Sequence, residues 1–214
     1  MHILFRTIGQ QNGMQTVRAI LPQAIDIYLN IAIIEKVKEI ANQNVSTPYQ
    51  DKITLQDNSI SATNALRTIC RTQDVEIDRI EDSIFNSADI DDSHILFFTS
   101  FSLIRDNKEI ACRLIDIDKI QETNRDYCNR ASFEYPIVTL QARDKNLLYC
   151  KIYPNTTDNV LRFKYIAKPA SVRYSKTISE RIDCNLPEHL HSEIVELAVR
   201  KYFESIGSTT QQVQ

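Results

Sequence analysis

Three features of the 214-residue sequence predict an α+β fold. Two long stretches, Ala24–Ala41 and Pro187–Ile206, carry apolar residues at helical spacing. Between them, five short segments alternate apolar and polar residues at the strand period of two. Several connections between those segments are short turns, which favour antiparallel pairing over crossover units. The expected architecture is a helical body, built from N-terminal and C-terminal helices, with an antiparallel sheet or sandwich of about five strands in meander order.

Met1–Ile8 (HILFRTI) reads as a short strand ended by Gly9 and Gly13, and a helical pattern begins at Gln15. Pro22 suits the first turn of a helix. From Ala24 to Ile34 only Asp26 and Asn30 are polar, so apolar residues surround the axis, as in a helix buried on several sides. Ser61–Arg71 predicts a second helix capped by Ser61, with Ala65, Leu66, Ile69 and Cys70 on one face. The acidic stretch Asp74–Asp92 lacks a strong period and is expected to be irregular or loosely helical.

The predicted strands are His94–Ile104, with Ile95, Phe97, Phe101 and Leu103 on one face, then Glu109–Ile117, Pro136–Ala142, Leu147–Pro154 and Val160–Ala167. In the last, Leu161, Phe163 and Tyr165 oppose Arg162 and Lys164. The C-terminal helix has Pro187 in its first turn and Gly207 just past its end, and its apolar residues cover roughly two-thirds of the circumference. So wide an arc needs a second covering surface, from the same chain or from a neighbour. The resulting divisions are an N-terminal helical region with the acidic segment (1–92), a β region (93–170), a loop and C-terminal helix packing on the N-terminal helices (171–207), and a polar tail (208–214).

Only three glycines are present, none arranged as a phosphate-binding or dinucleotide loop, so nucleotide enzymes of those types are excluded. The five cysteines form no Cys-x-x-Cys pair and are expected to be reduced, buried small hydrophobes. A secretory segment and an apolar run of membrane-spanning length are both lacking, which predicts a soluble protein with no membrane partner. His189 and His191 are two apart and point to different helix faces, and His189 with Glu193 makes only two ligands. The acids Asp89, Asp91 and Asp92 lack the glycine and terminal glutamate of a calcium hand. Asp116 and Asp118 would share a strand face, which a hydrolase could use, but two exposed carboxylates at a strand end are ordinary surface. The sequence therefore predicts no enzyme, no metal and no cofactor.

Charge is unevenly distributed. The net formal charge is −3, yet Asp74–Asp92 holds eight acids against Arg79 alone, and Arg162–Arg181 holds six bases against Glu180 alone. Segments of opposite sign let copies dock head to flank. The candidate contact residues between subunits or partners are Arg162, Lys164, Lys168, Arg173, Lys176 and Arg181 on the basic side, with Asp89, Asp91 and Asp92 on the acidic side. Phe163, Tyr165 and Tyr174 lie among the bases, a mixture that also suits single-stranded nucleic acid. Alternation puts stacking aromatics and bases on different faces, so an acidic protein surface is at least as good a partner.

Four segments in order, Asn129–Leu140, Tyr149–Pro154, Phe163–Val172 and Cys184–Gly207, resemble the head–tail connector proteins of tailed bacteriophages, closest to the neck ring (adaptor) proteins of crAss-like phages. The carrying phrases are Tyr165-Ile-Ala-Lys-Pro169 and Leu186-Pro-Glu-His-Leu-His-Ser-Glu-Ile-Val195. The likeness covers about a third of the chain; the acidic segment has no counterpart in it. The resemblance implies a structural virion protein without catalysis. It also implies a homo-oligomeric ring of about twelve copies in the neck, between the portal protein and adjacent neck or tail ring proteins. DNA would pass through the lumen without sequence-specific binding, and the protein would be made in the bacterial host cytoplasm. The alternative is a nucleic-acid-binding or DNA-processing protein using the 162–181 edge.

Overall fold

The structure, a computed structural model, describes residues 1–12, 20–43, 64–78, 83–155 and 160–211. The helical start at Gln15, the Ser61 cap, Arg79 and most of the turn at 155–159 lie outside the described residues, as does the end of the tail. The chain forms two units: a helical one from Met1–Ile69 and Pro169–Gln214, and a β one from Cys70–Lys168.

In the helical unit, α1 spans His2–Gln11. This corrects the strand expected over Met1–Ile8: Phe5 and Gly9 share a buried side at i,i+4, and Phe5 packs edge-on against Tyr202. Gly9 continues the helix rather than breaking it. Helix α2 runs Pro22–Gln43, its proline in the first turn, where no backbone N–H is needed. Ile25, Leu29, Ala32, Ile33, Val37 and Ile40 are buried on one face.

The two polar residues of the apolar stretch each hold backbone of the 172–174 segment. Asn30 donates to the Val172 carbonyl at 3.0 Å and accepts from its N–H at 2.7 Å, as a neighbouring strand would. Asp26 accepts from Tyr174 N–H at 3.0 Å and from His2 Nε2 at 2.7 Å. Both are buried or half-buried, and these bonds satisfy backbone that would otherwise be orphaned.

The C-terminal helix α4 (His191–Gln211) is entered through a 3-10 turn at Glu188–Leu190 whose cap is Pro187. It continues through Gly207, correcting the predicted stop there and the separate tail from Ser208. Ile194, Val195, Ala198 and Val199 are buried. Lys36 bridges Glu193 at 2.9 Å and Lys201 bridges Glu35 at 3.1 Å, tying α2 to α4. Partial desolvation of Lys36 is outweighed by its bonds to Glu193 and Glu39, so its ammonium is held above the ordinary lysine range.

The β unit has seven strands: β1 (Cys70–Glu76), β2 (Asn86–Asp91), β3 (Ile95–Arg105), β4 (Lys108–Leu114), β5 (Ile137–Asp144), β6 (Leu147–Tyr153) and β7 (Val160–Ala167). Their order is β1-β7-β3-β4-β5-β6-β2. The two end strands meet through paired backbone hydrogen bonds between Asp78 and Ser87 at 2.7 and 3.0 Å, giving a nearly closed barrel rather than a five-strand sandwich. Two strands were missed. Residues 64–66 are helical, but Cys70 and Arg71 begin β1, and the acidic segment supplies β1 and β2 instead of irregular chain. Its polar residues fit because one face of each strand can meet solvent.

The meander is also corrected. β4 and β5 pair in parallel, through Arg113–Ile137 and Leu114–Val138. Parallel neighbours need a crossover, and residues 115–136 supply it with a 3-10 turn at Ile117–Lys119 and helix α3 at Ile120–Arg125. Ile120, Ile137 and Tyr153 form a small core beneath it. The other strand pairs are antiparallel, and β3–β4 turns through Asp106 and Asn107, both left-handed (φ 47° and 62°). Short polar side chains tolerate that region, so a tight hairpin forms without glycine.

The barrel interior holds Ala88, Ile90, Phe101, Leu103, Val138, Cys150, Ile152, Leu161 and Phe163. Two register irregularities in β3 put Phe98, instead of the expected Phe97, against this core and the Phe163 ring.

Candidate functional site

The predicted contact residues fall into separate local arrangements, and the basic run is divided between the two units. Arg162 and Lys164 lie on the outward face of β7. Arg162 sits directly opposite Asp74 in the β1–β7 register. Its Nε and Nη2 donate to both Asp74 carboxylate oxygens at 2.7 and 2.8 Å, and its Nη1 donates to Glu109 across β3. These hydrogen bonds, with the charge they carry, hold the Asp74 carboxyl below the usual range and the guanidinium above its own. The basic face of β7 is thus partly neutralised by the chain's own acidic segment.

Lys164 is exposed. Lys168 donates to the Ser93 carbonyl at 2.7 Å, which brings it to the turn carrying Asp91 and Asp92. Asp91 accepts from Ser93 N–H at 2.9 Å, a bond that lowers its carboxyl pKa, and Asp92 is half-buried. Asp89 pairs with Arg143 at 2.8 Å. Arg173, Lys176 and Arg181 belong to the helical unit, in a hairpin pinned by the Arg173–Ile182 backbone pair. Arg181 lies over the Tyr174 ring at 5.2 Å and donates to the Ser175 carbonyl at 2.8 Å; Arg173 and Lys176 are exposed.

Asp116 and Asp118 do not share a strand face. β4 ends at Leu114, and both lie at the 3-10 turn that starts the crossover. Among the described residues, no group of three or more His, Cys, Asp or Glu is gathered closely enough to hold a metal ion, and no helix is long and apolar enough to cross a membrane. The cysteines are free, but the expectation that all are buried is corrected: Cys150 is buried, Cys112 and Cys184 are half-buried, and Cys70 and Cys128 are exposed. Burial pushes the Cys150 and Cys184 thiols up, so neither is poised as a nucleophile.

Two apolar surfaces stand out instead. On α2, Ile27, Ile31 and Ile34 are 59%, 45% and 41% exposed. At 100° per residue they fall within an arc of about 60°, turned away from the face holding Ile25, Leu29 and Ile33. The sequence signal for this surface was the all-round apolar character of Ala24–Ile34. In the crossover, Tyr127, Phe133 and Tyr135 are 80%, 57% and 64% exposed. Arg130 lies 4.9 Å from the Tyr127 ring and Arg105 5.8 Å from that of Phe133. Hydrogen bonds from Arg105 to the Phe133 carbonyl (3.0 Å) and from Arg113 to the Asn129 carbonyl (2.7 Å) hold the segment in place. Aromatic and arginine side chains on fixed backbone are the composition of interface hot spots. Sequence reasoning used Asn129–Leu140 for the resemblance but named no contact residue in the segment, which has no period.

No protein-family model matches the chain, and the curated proteins yield no significant match.

Proposed function

We propose that this chain is a structural virion protein of a tailed phage, assembling as a ring in the head–tail neck that joins portal to tail and leaves a channel for DNA. The observation that carries this reading is the Ile27–Ile31–Ile34 stripe, an apolar helix face left open opposite the one the protomer buries. Completing the burial of each isoleucine is worth about 1 kcal/mol, taking half of the value for a whole side chain. Three such residues can centre an interface, while the roughly 1,200–2,000 Å² of a stable one must include neighbouring surface. The resemblance through Tyr165–Pro169 and Leu186–Val195 supplies the identity of the assembly.

The alternative, nucleic-acid binding through residues 162–181, has weaker support. Arg162 already answers two carboxylates, and the exposed aromatic segment 115–136 holds three bases against five acids. Phosphate binding rests on net positive charge. Light scattering and negative-stain imaging of the full chain, alone and with portal particles, test the proposal. Rings, free or on the portal, are expected. A monomer that never associates with either, yet holds DNA with a steep salt dependence, would replace it with the alternative.

A further inference from the structure

The stripe on α2 faces one side of the helical unit, and a groove of about 580 Å³ opens between α1 and α4, lined by Ile8, Gln11, Asn12, Glu196, Arg200 and Phe203. On α4 the groove residues Glu196, Arg200 and Phe203 fall within about 60° of arc. The residues of α4 that meet α2 (Glu193 through Lys36, Lys201 through Glu35, and Ser205 through Tyr28) spread over another part of the circumference. Stripe and groove are therefore different surfaces of one protomer.

Resting on the self-association proposed above, we infer that the α2 stripe of one copy seats in the α1/α4 groove of the next. Charge and spacing support this occupant. Lys38 continues the stripe one turn beyond Ile34, while Glu196 lies at one end of the groove and Phe203 at the other. Lys38 and Glu196 are exposed and have no ion-pair partner among the described residues. Ile31 to Lys38 spans seven residues, as does Glu196 to Phe203, or about 10.5 Å along each helix. An antiparallel crossing of α2 on the neighbour's α4 sets Ile31 on Phe203 and Lys38 on Glu196 together. Because the two surfaces differ, each copy has both a donor and an acceptor face. Such a heterologous contact repeats until the rotation closes a ring.

Charge reversal tests the pairing in the full-length chain at low salt, by sedimentation across a concentration series with circular dichroism as the fold check. Lys38→Glu and Glu196→Lys are each expected to weaken association about tenfold, and the double reversal to restore it. Ile31→Glu is expected to abolish it, with helicity unchanged in all. If the wild type associates while the single reversals have no effect, or the double reversal stays as weak as either single, the groove is the wrong seat and this inference fails, leaving self-association intact. If the wild type remains monomeric, alone and on portal particles, the functional reading itself falls.

Discussion

The β unit and the helical unit spend their apolar residues differently. The barrel curls its sheet so that Phe101, Leu103, Leu161 and Phe163 face inward from every side, and its outward face is stitched by ion pairs such as Arg162 with Asp74. The helical unit cannot do this with α2. A helix has a full circumference, and one side of it carries Ile27, Ile31 and Ile34 outward. Closing a sheet gives it an interior, whereas laying helices side by side leaves outer faces. The barrel thereby encloses its main core, while α2 leaves an apolar stripe open for the association proposed above.

The largest expected effect breaks the barrel side of this contrast. Phe163→Ala removes a fully buried ring that touches Phe98, Phe101 and Tyr165, and is expected to cost about 3–5 kcal/mol in urea unfolding. Faster hydrogen exchange should centre on the β strands. A loss below about 1 kcal/mol would mean that the barrel interior is not the close-packed core described here.

Asn30→Ala comes next, because it strips both backbone partners from Val172 and is expected to cost about 1–3 kcal/mol. Asn30→Asp keeps the acceptor for Val172 N–H and loses the donor, so part of the stability should return. Equal stability of the two variants would contradict the strand-like pairing. By contrast, Ile31→Ser is expected to lower protomer stability by no more than about 1 kcal/mol, since the side chain is only about half buried. Its effect should be on mass by light scattering. A large fall in protomer stability would show that the stripe is covered within the chain.

The smallest effect concerns the exterior stitching. Asp74 titrates below the ordinary aspartate range because Arg162 bonds its charged form. Its contribution is therefore present above the unfolded value of about 3.9 and disappears as pH falls through the lowered folded value. Arg162→Gln should flatten that acid limb in urea midpoints measured from pH 5 down to pH 2, and added salt should shrink the difference. An unchanged limb would remove Arg162 as its cause.

Strands β3 to β7 and helices α2 and α4 were legible because their periods run long enough to declare a buried face. β1 and β2 were not, since polar residues such as Gln73 and the buried Asn86 occupy inward positions and break the alternation. In α1 the short phrase around Phe5 fits either period, and packing against Tyr202 chose the helix. Of the predicted contact residues, Arg162 and Asp89 proved to have partners inside the chain, while the aromatic crossover residues gave no periodic signal at all.

Local pattern alone dictated the mixed fold class, the inward face of β7 and the excess apolar girth of α2, because each depends on residues a few positions apart. Long-range contact selected the strand order that seats β1 on β7 and β2 on β6, the parallel β4–β5 pair and the pairing of Arg162 with Asp74. Those choices join residues far apart in the chain, and their energies exist only once the backbone has brought the partners within bonding distance.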